Sequence, residues 1–106
     1  MNDSIFNSST GYTPLSQNSI DRLKEISSKF ESGYLYDGLH YTAEFPNNYG
    51  ISIIKHFGSY GGPEDKFEIA VLKDGDLCYD TEITNDVIGH LSESEVIAYA
   101  MRIYKL

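Results

Sequence analysis

The chain predicts an α+β domain of two layers, with an N-terminal and a C-terminal helix packed on a three-stranded antiparallel sheet. Three observations carry that expectation. Ile20, Leu23, Ile26 and Phe30 recur at spacings of three, three and four, the period of one helical face. Two β-prone runs, Phe67–Lys73 and Leu77–Thr81, are joined through Asp74-Gly75, a dipeptide suited to a two-residue hairpin because both turn positions need positive φ. Ser92 and Glu95 stand three apart just before Val96 and Ile97, the residues of a capping box. Helices laid on one face of a small antiparallel sheet bury all of these apolar faces at once.

The elements follow in order. Met1 to Tyr12 is rich in Asn, Ser and Thr, and is expected to be a flexible tail, residues 1–12, before a single domain over residues 13–106. Ser16 is placed to cap the first helix, with Leu15 before it as the apolar partner of Ile20. The spacing predicts a helix over residues 17–31, and Gly33 its left-handed stop. Residues 34–49 carry five aromatics broken by Gly38, Pro46 and Asn47-Asn48, which predicts a loop with one short strand near residues 39–44. Tyr49 to His56 holds three isoleucines without helical period, the mark of a strand. Phe57 to Lys66 contains Gly58, Gly61, Gly62 and Pro63 and reads as a long loop. After the hairpin, Ile83 to Gly89 is expected to be a turn or one helical turn, and the closing helix presents Val96, Ile97, Ala100, Met101, Ile103 and Tyr104 to the sheet.

Composition excludes several classes of function. The 106 residues carry eight Lys plus Arg against sixteen Asp plus Glu, a net charge of −8. That balance argues against direct nucleic-acid binding through a basic footprint and against attraction to anionic lipid. No apolar run approaches the roughly 20 residues that span a bilayer, and Met1 to Ser9 lacks the basic start and apolar middle of a signal peptide. No membrane association is expected. Cys78 is the single cysteine, so an intrachain disulfide and a cysteine-based zinc site are both excluded.

No catalytic signature emerges, and no catalytic residue, metal or cofactor is expected. His40, His56 and His90 form no pair at metal-ligand spacing. His56 and Ser59 are close in sequence, but a hydroxyl nucleophile also needs an orienting carboxylate and an oxyanion site. Gly58-Ser59-Tyr60-Gly61-Gly62 has the glycines of a phosphate loop, yet it joins two strands instead of leading from strand into helix. Asp74-Gly75-Asp76 lacks the later ligands of a calcium loop. Cys78 has no neighbouring cation to activate it and reads as a packed thiol.

Two features remain. Nine tyrosines are an excess, and tyrosine is favoured at binding surfaces; Tyr36, Tyr41 and Tyr60 are the ones expected outside. The second is charge placement. Between Glu64 and Glu95 there are ten carboxylates and two lysines, while the rest of the chain has six acids and six bases. The whole net charge therefore sits in that segment. Partner binding is assigned to Glu64, Asp65, Asp74, Asp76, Asp80, Glu82 and Asp86, with Tyr60. Asp76, Asp80 and Glu82 share one strand parity, and alternate strand residues repeat at about 6.6–6.8 Å, close to the phosphate spacing of nucleic acid. Such a row can attract a basic groove. The plainer alternative is a solvated acidic face that keeps the protein soluble and shields an edge strand.

A resemblance supplies context. Tyr49-Gly50-x-Ser52, His56-x-Gly58-Ser59-Tyr60-Gly61-Gly62 and Glu68-x-Ala70-Val71-Leu72 form its first half. Gly75-x-Leu77-x-Tyr79-Asp80-Thr81, Ile83-Thr84-x-Asp86-Val87-Ile88-Gly89 and Leu91-Ser92-Glu93-x-Glu95-Val96 complete it. The stretch from Tyr49 to Val96 resembles a group of small uncharacterised proteins encoded by bacteriophages and prophages, with Phe67 where that group often has Trp. The resemblance implies a phage accessory protein acting in the bacterial host cytosol, and assigns no activity to individual residues. With the charge map, it predicts a non-enzymatic inhibitor of a host nucleic-acid-handling defence complex, of anti-CRISPR or anti-restriction type, that occupies a basic groove. The partner would be a host protein or nucleoprotein complex. The alternatives are a structural or regulatory phage module that self-associates as a homo-oligomer, and a small enzyme using His56 or His90.

Overall fold

The computed structural model describes residues 10–106. Residues 1–9 of the expected tail lie outside the described residues, while within 10–12 the Tyr12 ring packs on the core. The first helix, α1 (Gln17–Ile26), opens at Ser16, whose hydroxyl accepts the Ser19 amide at 3.3 Å. It stops five residues before the period predicts. Ser27 turns to extended backbone and its hydroxyl donates to the Leu23 carbonyl, a serine side chain competing with the helical ladder. The Ser28 amide then donates to the Glu44 carbonyl at 2.7 Å, which starts a strand. Phe30 and Gly33 thus belong to β1 (Lys29–Leu35) and not to a helix end. Phe30 still reaches the core, its ring centre 6.3 Å from that of Tyr41.

The sheet has six antiparallel strands, not three. After β1 come β2 (Gly38–Glu44), β3 (Tyr49–Lys55), β4 (Phe67–Lys73), β5 (Asp76–Leu77) and β6 (Ile88–Leu91). The first five run in sequence order across the sheet, and β6 returns to pair with β4. The β4–β5 turn is the expected hairpin, with φ of 52° at Asp74 and 86° at Gly75. However, β5 covers two residues instead of the five predicted. After the Cys78 amide bonds the Val71 carbonyl, side chains take over the backbone groups. Thr81 Oγ1 accepts from Ile83 and Thr84, Thr84 Oγ1 accepts from Asp86, and Asp86 Oδ1 accepts from Val87. These local turns fold residues 81–87 on themselves, and pairing with β4 resumes only at β6. The segment predicted as a turn up to Gly89 therefore ends inside a strand.

Helix α2 (Glu93–Tyr104) begins with the full capping box, Ser92 Oγ accepting the Glu95 amide and Glu95 Oε1 accepting the Ser92 amide. Its Val96, Ala100 and Ile103 are fully buried with Tyr41, Ala43, Ile51, Ile53, Ile69 and Val71 of the sheet and Leu23 of α1. The register Tyr41–Ile53–Ile69 puts those residues on one face, which corrects the expectation that Tyr41 is exposed. Its hydroxyl accepts the Leu15 amide at 3.1 Å, and burial pushes its pKa up to about 12.

Candidate interaction surfaces

The acidic segment does not form one row. Because β5 ends at Leu77, Asp80 and Glu82 fall in the bends that follow, and the even spacing required for a phosphate-like ladder is absent. The carboxylates divide instead by position along β4. Glu64, Asp65 and Glu68 lie at its Phe67 end and Asp74 and Asp76 at its Lys73 end, about 20 Å apart along seven residues. Residues 78–87 lead back from the second end to the first.

Several of the ten carboxylates are engaged within the molecule. Asp65 accepts the Thr13 amide at 2.8 Å, the Thr13 hydroxyl at 2.6 Å and Lys55 Nζ at 3.1 Å. Burial pushes its pKa up, but those hydrogen bonds outweigh the effect and hold it below the usual carboxylate range. Asp65, assigned to partner binding from the sequence, therefore also braces the N-terminal segment while its side chain stays 48% exposed. Glu68 accepts the Tyr60 amide at 2.7 Å. Glu93 accepts the Ser16 amide at 3.0 Å and both the Ser16 and Ser19 hydroxyls; these bonds likewise overcome its burial and lower its pKa. Glu64 lies 3.6 Å from the exposed His90 ring. Glu95 closes the capping box on the Ser92 amide. That leaves five carboxylates, Asp74, Asp76, Asp80, Glu82 and Asp86, of which Asp80 takes the Cys78 thiol and Asp86 the adjacent Val87 amide. All are exposed, and none has an ion pair within 4.0 Å among the described residues. They lie on the hairpin and the return segment that flank the outer edge of β4.

His56 and Ser59 each bond to nearby backbone. Ser59 Oγ bonds the backbone amide and carbonyl of His56, while the imidazole Nδ1 accepts the Gly58 amide at 3.0 Å. The serine and the ring are thus not a nucleophile and base. His40, half-buried, is held near Ser52 at 3.3 Å, and burial, then the neighbouring His56, lowers its pKa. Among the described residues no three His, Cys, Asp or Glu side chains are grouped to hold a metal ion. Cys78 is buried, with its thiol 3.0 Å from Asp80 Oδ1.

A second surface lies at the end of the sheet where β1 turns into β2 and β3 ends. Tyr36 is 84% exposed and Phe57 75% exposed. With Asp37, His56 and Gly58 they line a cleft of about 460 Å³. Gly38 brings its two sides together, since a Cβ there would lie 1.9 Å from the Lys55 carbonyl oxygen. Asp37 ties them, its Oδ1 accepting the Phe57 amide at 3.0 Å and its Oδ2 the Tyr12 hydroxyl at 2.9 Å. Those two bonds, the Phe57 amide first, hold the Asp37 carboxyl below its usual pKa. The sequence reading placed Tyr36 outside correctly but missed Asp37 and Phe57. An aromatic in a glycine-rich loop, where little chain is available to cover it, was the signal for Phe57. Beside this cleft, Tyr60 is exposed as expected and borders a smaller hollow of about 280 Å³ with Glu64 and His90.

Searches of protein-family models, curated proteins and solved structures return no match to the chain.

Proposed function

We propose that the protein is a non-enzymatic interaction protein that engages a basic, nucleic-acid-handling surface of a partner. One observation carries this reading: five exposed carboxylates, Asp74, Asp76, Asp80, Glu82 and Asp86, flank one sheet edge and outnumber the bases beside them, Lys73 opposite Asp76 and Arg102 and Lys105 near Glu82, with none in an ion pair within 4.0 Å among the described residues. An exposed field of one sign speeds and orients association with a surface of the other sign. In its fuller form, the protein is a phage-encoded inhibitor acting in the host cytosol on a defence complex of anti-CRISPR or anti-restriction type. The resemblance of residues 49–96 supports that context. Without an evenly spaced row, the mimicry is of charge and not of phosphate geometry. Glu64 and Tyr60, near the far end of β4, extend the same contact.

The test is a pull-down from a bacterial lysate with duplex DNA or RNA as competitor. The expected result is a partner that nucleic acid displaces and that Asp76→Lys, Asp80→Lys and Glu82→Lys together abolish, with melting unchanged. Capture that survives this charge reversal overturns the reading.

Self-association is a second reading, favoured by β1. Among the described residues this seven-residue strand has a strand partner on one side only, and an open edge is a template for another strand. Sedimentation of a concentration-independent monomer excludes it.

A further inference from the structure

We propose that the cleft between the Tyr36–Asp37 turn and the His56–Gly58 segment is a binding site for a guanidinium group, an arginine side chain presented by a protein partner. Two large rings, of Tyr36 and Phe57, stand almost wholly in water on either side of it, although the core has aromatic positions that bury comparable rings at Tyr41 and Phe45. Neighbouring exposed apolar groups of this kind mark contact sites.

The backbone supplies an independent sign. Tyr36 has φ of +53°, the left-handed region that costs a bulky residue on the order of 1 kcal/mol and that glycine or asparagine occupies with little strain. A turn selected for stability alone would carry one of those residues. What the strained tyrosine does is stand its ring at the mouth of the cleft, backed by the His56 ring at 5.1 Å in an edge-on contact.

The chemistry of the lining selects the ligand. The cleft is mostly apolar, with one carboxylate at its side. Asp37 accepts the Phe57 amide and the Tyr12 hydroxyl and interacts with its own amide, and a carboxylate has about four acceptor positions, so it retains capacity. A neutral apolar ligand would strip water from that carboxylate without replacing it, and an anion would be repelled. A cation is attracted by both the carboxylate and the ring faces. Between the two side-chain cations, guanidinium fits better: it is flat, weakly hydrated, stacks on aromatic faces and presents a fork to a carboxylate. The volume of about 460 Å³ accommodates one such side chain. That the arginine comes from a basic protein rests on the function proposed above, whereas the chemistry of the cleft does not.

The experiment is a titration of the ¹⁵N-labelled protein with N-acetyl-arginine-methylamide, with the norleucine counterpart as the uncharged control. The expected result is saturable shifts of the Tyr36, Asp37, Phe57 and Gly58 amides by the arginine probe alone, with a dissociation constant on the order of millimolar. Asp37→Asn and Tyr36→Gly should each weaken binding roughly tenfold. Tyr36→Gly relieves the left-handed strain, so it should melt no lower than the parent. That variant separates loss of a binding ring from loss of fold. Absence of saturation, or equal shifts with norleucine, overturns the proposal. The charge-reversed variant at Asp76, Asp80 and Glu82 should bind the probe as the parent does. Binding of the probe without capture of any basic partner upholds the cleft and overturns the assigned source of the arginine.

Discussion

Lys55 shows how one side chain can tie several segments together. It is 2% exposed, and its ammonium donates to the Thr13 carbonyl at 2.8 Å and to Asp65 at 3.1 Å, while sitting 3.8 Å from the centre of the Phe67 ring. Burial draws its pKa down, and the bond to Asp65 opposes that. Removing such a residue strands its acceptors and opens a cavity, so Lys55→Ala should cost about 3 kcal/mol in denaturant unfolding. Lys55→Met keeps the stem volume and should cost less, about 1–2 kcal/mol; equal losses would show that the packing of the stem contributes nothing. Gly38 is a second such residue. Its missing Cβ is required by the Lys55 carbonyl, which as backbone cannot move aside, and Gly38→Ala should cost about 2–4 kcal/mol. Neither role was legible in the sequence, because each depends on a chain segment distant in number. Tyr36 and Tyr41 make the same point: similar residues in one aromatic run, one left outside in the β1–β2 turn and the other set in the core by the register of β2 against β3.

Among the elements, those with strong local signals formed where expected. The Ser92–Glu95 capping box is complete, and Ser92→Ala should destabilise the protein by about 1 kcal/mol, read from thermal unfolding. The Asp74-Gly75 hairpin formed as its turn chemistry requires. Elements whose limits depend on competition were misjudged: α1 ends early because Ser27 bonds back to Leu23 and Ser28 finds Glu44, and Phe30 satisfies the helical period while sitting in a strand. The attachment of α1 and the segment before it has a consequence for pH. Asp37 accepts from Tyr12, Asp65 from Thr13, and Glu93 from Ser16 and Ser19. All three carboxyls are held below their usual pKa in the folded state. A depressed folded pKa contributes stability above the unfolded value, near 4, that is lost as pH falls through the folded one. Acidification below about pH 4 should therefore release residues 10–26 before the β2–β3–β4 sheet. Hydrogen exchange resolved by residue would detect this as early loss of protection in α1. Simultaneous loss throughout the molecule would contradict it.

For the whole molecule, the net charge of −8 becomes two surfaces of different kinds. One is the acidic hairpin and return segment beside β4; the other is the aromatic cleft at the opposite turn end of β1 and β2. Partner binding through the first should weaken steeply between low and high salt, since exposed charges are screened over about 8–10 Å, and isothermal titration at two ionic strengths would read it. Binding at the cleft, with its rings, should change less. The amino-acid order by itself determined the α+β class, both helix starts, the central hairpin and the confinement of charge to residues 64–95, because each of these rests on neighbours in the chain. It also led to an evenly spaced acidic row and a three-stranded sheet, which did not form. The tertiary structure alone decided strand number, the occupation of Asp65, Glu68 and Glu93 by internal donors, and the meeting of Tyr36, Asp37 and Phe57. These depend on which distant backbone amides and carbonyls satisfy one another when the apolar face closes, a competition that local sequence does not record.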